Sequence, residues 1–233
     1  QELRGASSAG FGLLGIEDLK NETLPEVYRC TPSILELAFF TISRTTDLFS
    51  ADFPDFTKNT MTVISNDHPL AKKPRIVIRS ESSSISKTIL KEIRFLRNIR
   101  QIAIIIHAER YWNEVVDFLR NENLPVVVGI KRGEFINPEK PIVYISKPEN
   151  IGGQEFEAVI CVGLEHGVVP PNINGHAGLS EALEQQILRE IYLSFTRAKY
   201  QLAIINSKHS SPSRIIQLAI DAKLIDVQKH EQI

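Results

Sequence analysis

Gln101–Ile106 reads QIAIII, and the five apolar residues that end it follow one another without a polar break. Successive side chains of a strand point to opposite faces, so a run like this must be covered on both sides. Such a strand belongs inside a parallel sheet with helices above and below it. The chain around it keeps the matching rhythm. Ile76–Ile78 reads as a strand and Ile85–Ile99 as a helix, Tyr111–Asn121 as a helix and Pro125–Val128 as a strand; Ile142–Ser146 and Ala158–Val162 are two more strands. Upstream, Leu24–Tyr28 is a short strand, and Thr31-Pro32 opens a helix with threonine at the N-cap and proline in the first turn. Downstream, Leu183, Ile187, Ile191 and Phe195 recur every fourth residue beside Leu188 and Tyr192, one buried face of an amphipathic helix. Leu202–Ile205 follows as a short buried strand, and Ser211-Pro212 caps and starts a last helix. Alternating strands and helices predict an α/β fold on a mostly parallel, doubly wound sheet.

At 233 residues the chain can bury one full core. Charge is balanced, 27 Lys and Arg against 28 Asp and Glu, so no overall field draws the chain to nucleic acid, and any strand binding must use a local groove. Cys30 and Cys161 give no disulfide framework, which suits a reducing, cytoplasmic setting. No apolar run reaches membrane-spanning length, so no membrane partner is expected. The chain opens on Gln1 and its one methionine is Met61; we expect it to be a piece of a longer protein. Residues 1–23 read as a Gly/Ser-rich leading segment, 24–218 as the domain proper and 219–233 as a C-terminal extension.

Three short blocks carry residues suited to chemistry. Arg197 and Lys199 stand between the Leu183–Phe195 helix and the strand after it. They complement the negative end of the helix, or Arg197 is held by rigid elements and aimed at charge developing on a transferring phosphoryl group. In Tyr28-Arg29-Cys30-Thr31-Pro32, between a strand end and a helix start, the ring could stack on a base and the guanidinium grip phosphate oxygens. Ligands in open α/β sheets gather at the carboxyl ends of strands, which favours this place. In Ile151-Gly152-Gly153-Gln154-Glu155-Phe156 the glycines permit a tight turn or close approach to a ligand, and the carboxylate could accept from a ribose hydroxyl. An ordinary loop with a solvated glutamate reads equally from those residues alone. No Gly-x-x-x-x-Gly-Lys-Ser/Thr phosphate loop occurs. His166 and His176 lack partners at metal-ligand spacing, so no metal site is expected.

Leu188–Lys199, LREIYLSFTRAK, resembles the last motif of superfamily 1 helicases of the UvrD-like group. There Thr-Arg-Ala supplies an arginine finger to the ATP γ-phosphate, which makes Arg197 the catalytic candidate. Val27–Ile34 resembles that family's Asn-Tyr-Arg-Ser-x-x-x-Ile block, with Val27 in place of asparagine; Tyr28 would stack on adenine and Arg29 contact the γ-phosphate. Gly152–Glu157 resembles the Lys-Gly-Leu/Gln-Glu-Phe-Asp block, in which Gly153 is the motif glycine and Glu155 binds the ribose. Gln1 would be the γ-phosphate-sensing glutamine of a preceding motif. On the strand side, His107 stands where relatives place a DNA-contacting arginine, and Lys147, Glu149 and Gly152 complete the expected nucleic-acid contacts. Gly152 replaces the family's lysine and Glu149 a DNA-facing histidine, so unwinding is less secure than ATP binding.

The resemblance implies the second, C-terminal RecA-like domain, a three-layer sandwich of the P-loop NTPase type without its own phosphate loop. Only Ile130–Pro141 separates two strands where relatives carry a large helical insertion, so this is the compact form. The implied activity is that of an ATP-dependent DNA helicase or translocase. ATP would be held mainly by an N-terminal RecA-like domain of the same protein, which would also hold Mg²⁺, and single-stranded DNA would be the other partner. By itself the chain is expected to be inactive. The other reading is a non-catalytic nucleic-acid or protein-binding module that keeps the fold. A free-standing Rossmann enzyme lacks its glycine fingerprint here.

Overall fold

A computed structural model describes residues 26–27, 30–44, 61–62, 64–79, 84–96, 98–129, 137, 140–169, 177–207 and 210–229. Gln1, Tyr28, Arg29 and His176 lie outside the described residues. A two-stranded parallel pair joins β1 (Glu26–Val27) to β2 (Met61–Thr62). The main sheet has seven strands: β3 (Arg75–Arg79), β4 (Gln101–Ile106), β5 (Val126–Val128), β6 (Ile142–Ser146), β7 (Phe156–Val162), β8 (Ala198–Ser207) and β9 (Asp226–Lys229). Their order across the sheet is β5-β6-β4-β7-β8-β3-β9, and every pairing is parallel.

The isoleucine run behaves as its composition demands. All six residues of β4 are buried, between β6 and β7. Ala103 and Ile105 face a core shared with α1 (Pro32–Ile42), α4 (Ala177–Phe195) and α5 (Arg214–Asp221). Ile102, Ile104 and Ile106 face a second core shared with α2 (Ile85–Phe95) and α3 (Trp112–Asn121). The result is a three-layer α/β sandwich. Each fully buried isoleucine stabilises it by about 1.5–3 kcal/mol relative to exposure.

Several boundaries differ from the sequence expectation. The helix from Ile85 ends at Phe95, where Leu96 closes it by donating to Glu92 and Ile93 carbonyls, although Ile99 remains buried. The last helix begins at Arg214 with Ser213 at its N-cap; Pro212 instead bridges Glu165. The strand expected over Leu202–Ile205 runs the ten residues of β8, because hydrogen bonds from neighbours on both sides extend it past its apolar centre. Asp226–Lys229, with Val227 its single apolar residue, gave no strand signal; it pairs with β3 as an edge, and Asp226 is bonded to Lys73 at 2.6 Å.

Candidate functional site

The described ends of all three blocks meet at the amino ends of β7 and β8. Thr31 donates its amide to the carbonyl of Lys199 at 3.1 Å, and Phe156 donates to the carbonyl of Arg197 at 2.9 Å. The Arg197 guanidinium is buried behind the glycine loop. Its Nη1 donates to the Gln154 carbonyl at 3.0 Å, its Nε to the Leu193 carbonyl at 3.1 Å and its Nη2 to Thr196 Oγ1 at 3.2 Å. Residues from the end of α4 and the start of β7 are thus clamped by one side chain whose planar fork fixes several angles at once. Glu155 follows Gln154 and pairs with Lys199, Nζ to Oε2 3.4 Å, with 35% and 37% of the two side chains exposed.

Gly153 turns the loop with φ of 85°, and a Cβ placed on it would meet nothing within 4 Å. The glycine is therefore demanded by the backbone, since a left-handed φ strains any other residue there. The next irregularity is in β8. Phe156 pairs with Ala198 and Ala158 with Gln201, so Lys199 and Tyr200 together oppose Glu157 in a β-bulge. Bulges re-aim side chains at sheet edges. This one sends Lys199 toward Glu155.

The constellation can bind an anion or a hydroxyl-rich ligand. Lys199 supplies an accessible cation, Glu155 an acceptor, and Arg197 a fixed charge just beneath. Among the described residues no group of three or more His, Cys, Asp or Glu could hold a metal ion. The first block follows β1, which pairs with β2 outside the main sheet, and its described end Thr31 lies at the amino edge of the main sheet.

No family model and no curated protein matches the chain. Among solved structures, the C-terminal domain of a possible DNA helicase from Lactobacillus plantarum WCFS1 aligns with a TM-score of 0.55 at 16% identity, over 86% of this chain and 98% of that one. The two share a fold, a RecA-like α/β sandwich on a parallel sheet. The arterivirus helicase, nonstructural protein 10, aligns at TM-scores of 0.42 alone and 0.40 with DNA, at 7% identity over 67% of this chain. Those two likenesses are too loose to carry an argument, and this chain spans about a third of that helicase.

Within this fold, the residues expected on the strand side lie away from the amino edge or lead toward it. His107 follows β4 and Lys147 follows β6, both at the carboxyl edge. His107 donates its amide to Val162, and its Nε2 is sealed without a hydrogen-bond partner. Burial pulls its pKa down to about 3, so the imidazole is neutral. Lys147 is bonded to Glu109 at 2.6 Å and lies 5.3 Å from the centre of the Trp112 ring; the Glu109 hydrogen bond raises its pKa. Glu149 sits in the short turn Pro148–Asn150, which packs on α4, and Gly152 follows in the loop leading to β7.

Sequence patterns gave no sign of a further cluster at this edge. Glu165 is wholly buried and accepts from Tyr111 Oη at 2.7 Å, from Arg110 and from the Ser207 amide at 3.1 Å. Burial first and Glu165 second raise the Tyr111 pKa. Gly163 precedes it with φ of 87°, and a Cβ there would come within 2.6 Å of Ala108 Cβ. Contacts between residues about fifty apart leave no local periodicity to read.

Proposed function

We propose that this chain is the C-terminal motor domain of an ATP-dependent DNA helicase or translocase of the superfamily 1, UvrD-like group. Its amino edge would close over ATP held mainly by an N-terminal RecA-like domain of the same protein, with single-stranded DNA as the second partner. The observation that carries this is the convergence of Thr31, Gln154-Glu155 and Arg197-Lys199 on one edge of the sheet. Pairing of β7 with β8 brings two of the blocks together and the Thr31–Lys199 bond adds the third, and each block resembles a nucleotide-facing block of that family.

Arg197 would be the finger, Glu155 the ribose acceptor, and Gly153 the turn that brings the loop to the nucleotide. Tyr28, Arg29 and Gln1 keep the roles that the resemblance gives them. To engage, Nη1 of Arg197 would exchange the Gln154 carbonyl for a phosphate oxygen, a stronger, charge-assisted partner. With no phosphate loop in the sequence, the β- and γ-phosphates and Mg²⁺ need the other domain. A non-catalytic binding module is favoured by Glu149 and Gly152, which leave the strand side short of cations.

The test is Arg197→Ala in the protein that carries both domains. Strand-stimulated ATP turnover should fall about a hundredfold or more with little change in KM for ATP, because a finger acts on charge that develops in the transition state. Turnover near the wild-type rate would reduce Arg197 to a loop clamp.

A further inference from the structure

Residues 64–72 cross the amino edge of the sheet and are tied down on both sides. The His68 amide donates to the Ser65 carbonyl at 3.2 Å, closing a turn with Asn66 and Asp67 at its centre. On one side, Asn66 Oδ1 accepts the Ser33 amide at 3.2 Å, in the first turn of α1. This supplies the cap that the Thr31 side chain does not. On the other side, Lys72 donates its amide to the Tyr200 carbonyl at 3.1 Å, and Gln201 Nε2 donates to the Leu70 carbonyl at 2.9 Å.

Between these ties, the β8 bulge presents Tyr200 to His68. The two rings lie flat on each other, centroids 4.4 Å apart and planes 10° from parallel. His68 Nδ1 accepts the Leu70 amide at 3.2 Å, which places the proton on Nε2 and fixes the ring. Both rings remain partly exposed, as does Lys199 beside Tyr200, and Asn66 is exposed. With Oδ1 engaged by the Ser33 amide, Asn66 also carries the two donor hydrogens of Nδ2 on an exposed side chain.

Aromatic pairs that serve only the core are covered by it. This pair is held by hydrogen bonds within its own segment and to β8, and both residues stay partly exposed. A rigid aromatic plane, an oriented amide donor two residues away and a neighbouring cation are what a nucleobase carrying a phosphate requires. We infer that His68, backed by Tyr200, is a stacking platform for the base of the bound nucleotide, and that Asn66 donates to an acceptor on the base edge. The inference rests on the amino edge being the nucleotide side. It adds a second aromatic surface to the one assigned by resemblance to Tyr28.

The test follows the His68 ring protons by NMR in this chain during titration with adenosine, ATP, tripolyphosphate and a short oligothymidylate. Adenosine and ATP should move them upfield, and tripolyphosphate should not. Tyr200→Phe should keep the shift. Asn66→Ala should weaken adenosine binding several-fold, the usual loss for one hydrogen bond. His68→Ala, with amide spectra confirming the fold, should weaken it about tenfold or more, as loss of a base-stacking ring does. No shift with adenosine or ATP at millimolar concentration, or an equal shift with tripolyphosphate, overturns the platform. A shift with the oligonucleotide alone gives the ring to the strand and overturns the nucleotide assignment. If Arg197→Ala cripples turnover while His68 stays silent, the motor reading stands and the platform alone fails.

Discussion

The two edges of the sheet are built from the same kinds of residue and held in opposite ways. At the carboxyl edge, Glu165 is fully buried with Tyr111, Arg110 and Ser207 around it, and His107 Nε2 is sealed from solvent. At the amino edge, Lys199 and Glu155 face each other at 3.4 Å with about a third of each side chain exposed. The backbone there is interrupted by the Gly153 turn and the Lys199–Tyr200 bulge. An exposed pair contributes at most about 1 kcal/mol and is easily exchanged for a ligand. A buried carboxylate with several donors cannot be exchanged without breaking the fold. The Glu165 cluster closes its edge, whereas the Glu155–Lys199 pair is the exchangeable part of the other.

The largest effect should come from breaking the closed edge. Glu165→Ala leaves the Ser207 amide and the Tyr111 hydroxyl without their acceptor, at about 1–3 kcal/mol each. Arg110, half exposed, recovers its loss from water. A stability loss of about 2–6 kcal/mol should appear in urea unfolding and as a Tm lowered by roughly 4–24 °C. In the two-domain protein KM for ATP should stay where it was. A change in KM with little loss of stability would mean that the edges are not separate.

The same contrast marks where the sequence was legible. The QIAIII run, the four-residue spacing of α4 and the Thr-Arg-Ala wording are local signals, and they led to the three-layer parallel fold and to Arg197 between helix and strand. What the sequence could not show depends on partners far along the chain. The bulge at Lys199–Tyr200 exists only in the register of β8 against β7. The Asn66–Ser33 and Arg110–Glu165 bonds link residues 33 and 55 apart. β9 has a polar sequence and is a strand only because the β3 edge accepts it. His107 follows a buried strand; the residue stays partly exposed while packing seals its Nε2.

That burial gives the next effect in size. The folded pKa of His107 is lowered to about 3 from 6.5. The unfolded chain therefore binds one more proton than the folded chain between those values, and stability falls as pH drops through that window. Above 6.5 both states are neutral and the contribution is complete. At pH 5 the loss should be about 2 kcal/mol, at about 1.4 kcal/mol per pH unit below 6.5. His107→Leu should flatten this slope while costing little at pH 7.5, because no hydrogen bond to Nε2 is lost. Denaturant unfolding at several pH values measures it. An unchanged slope in the variant would show that the ring titrates in water and belongs to an open carboxyl edge.

The smallest effect concerns Gly152, which sits between the two edges. Its neighbour Gly153 carries the positive φ, so a side chain at 152 meets no such backbone strain. Gly152 is half buried, and the loop runs from Lys147 at one edge to Gln154 at the other. Gly152→Lys adds a cation where the block that the sequence resembles carries lysine. If the residue faces the strand, a short single-stranded oligonucleotide should bind several-fold tighter at low salt. One added phosphate contact also steepens the dependence of log K on log salt by about 0.7. Fluorescence anisotropy at a series of salt concentrations reads both quantities, and a lysine that merely altered stability would leave the salt slope alone. If instead the residue belongs with Gln154, the new ammonium lies near the nucleotide phosphates, strand affinity stays constant and KM for ATP falls. The direction in which this one charge is felt, toward the strand or toward ATP, fixes where along the Lys147–Glu155 loop one edge gives way to the other.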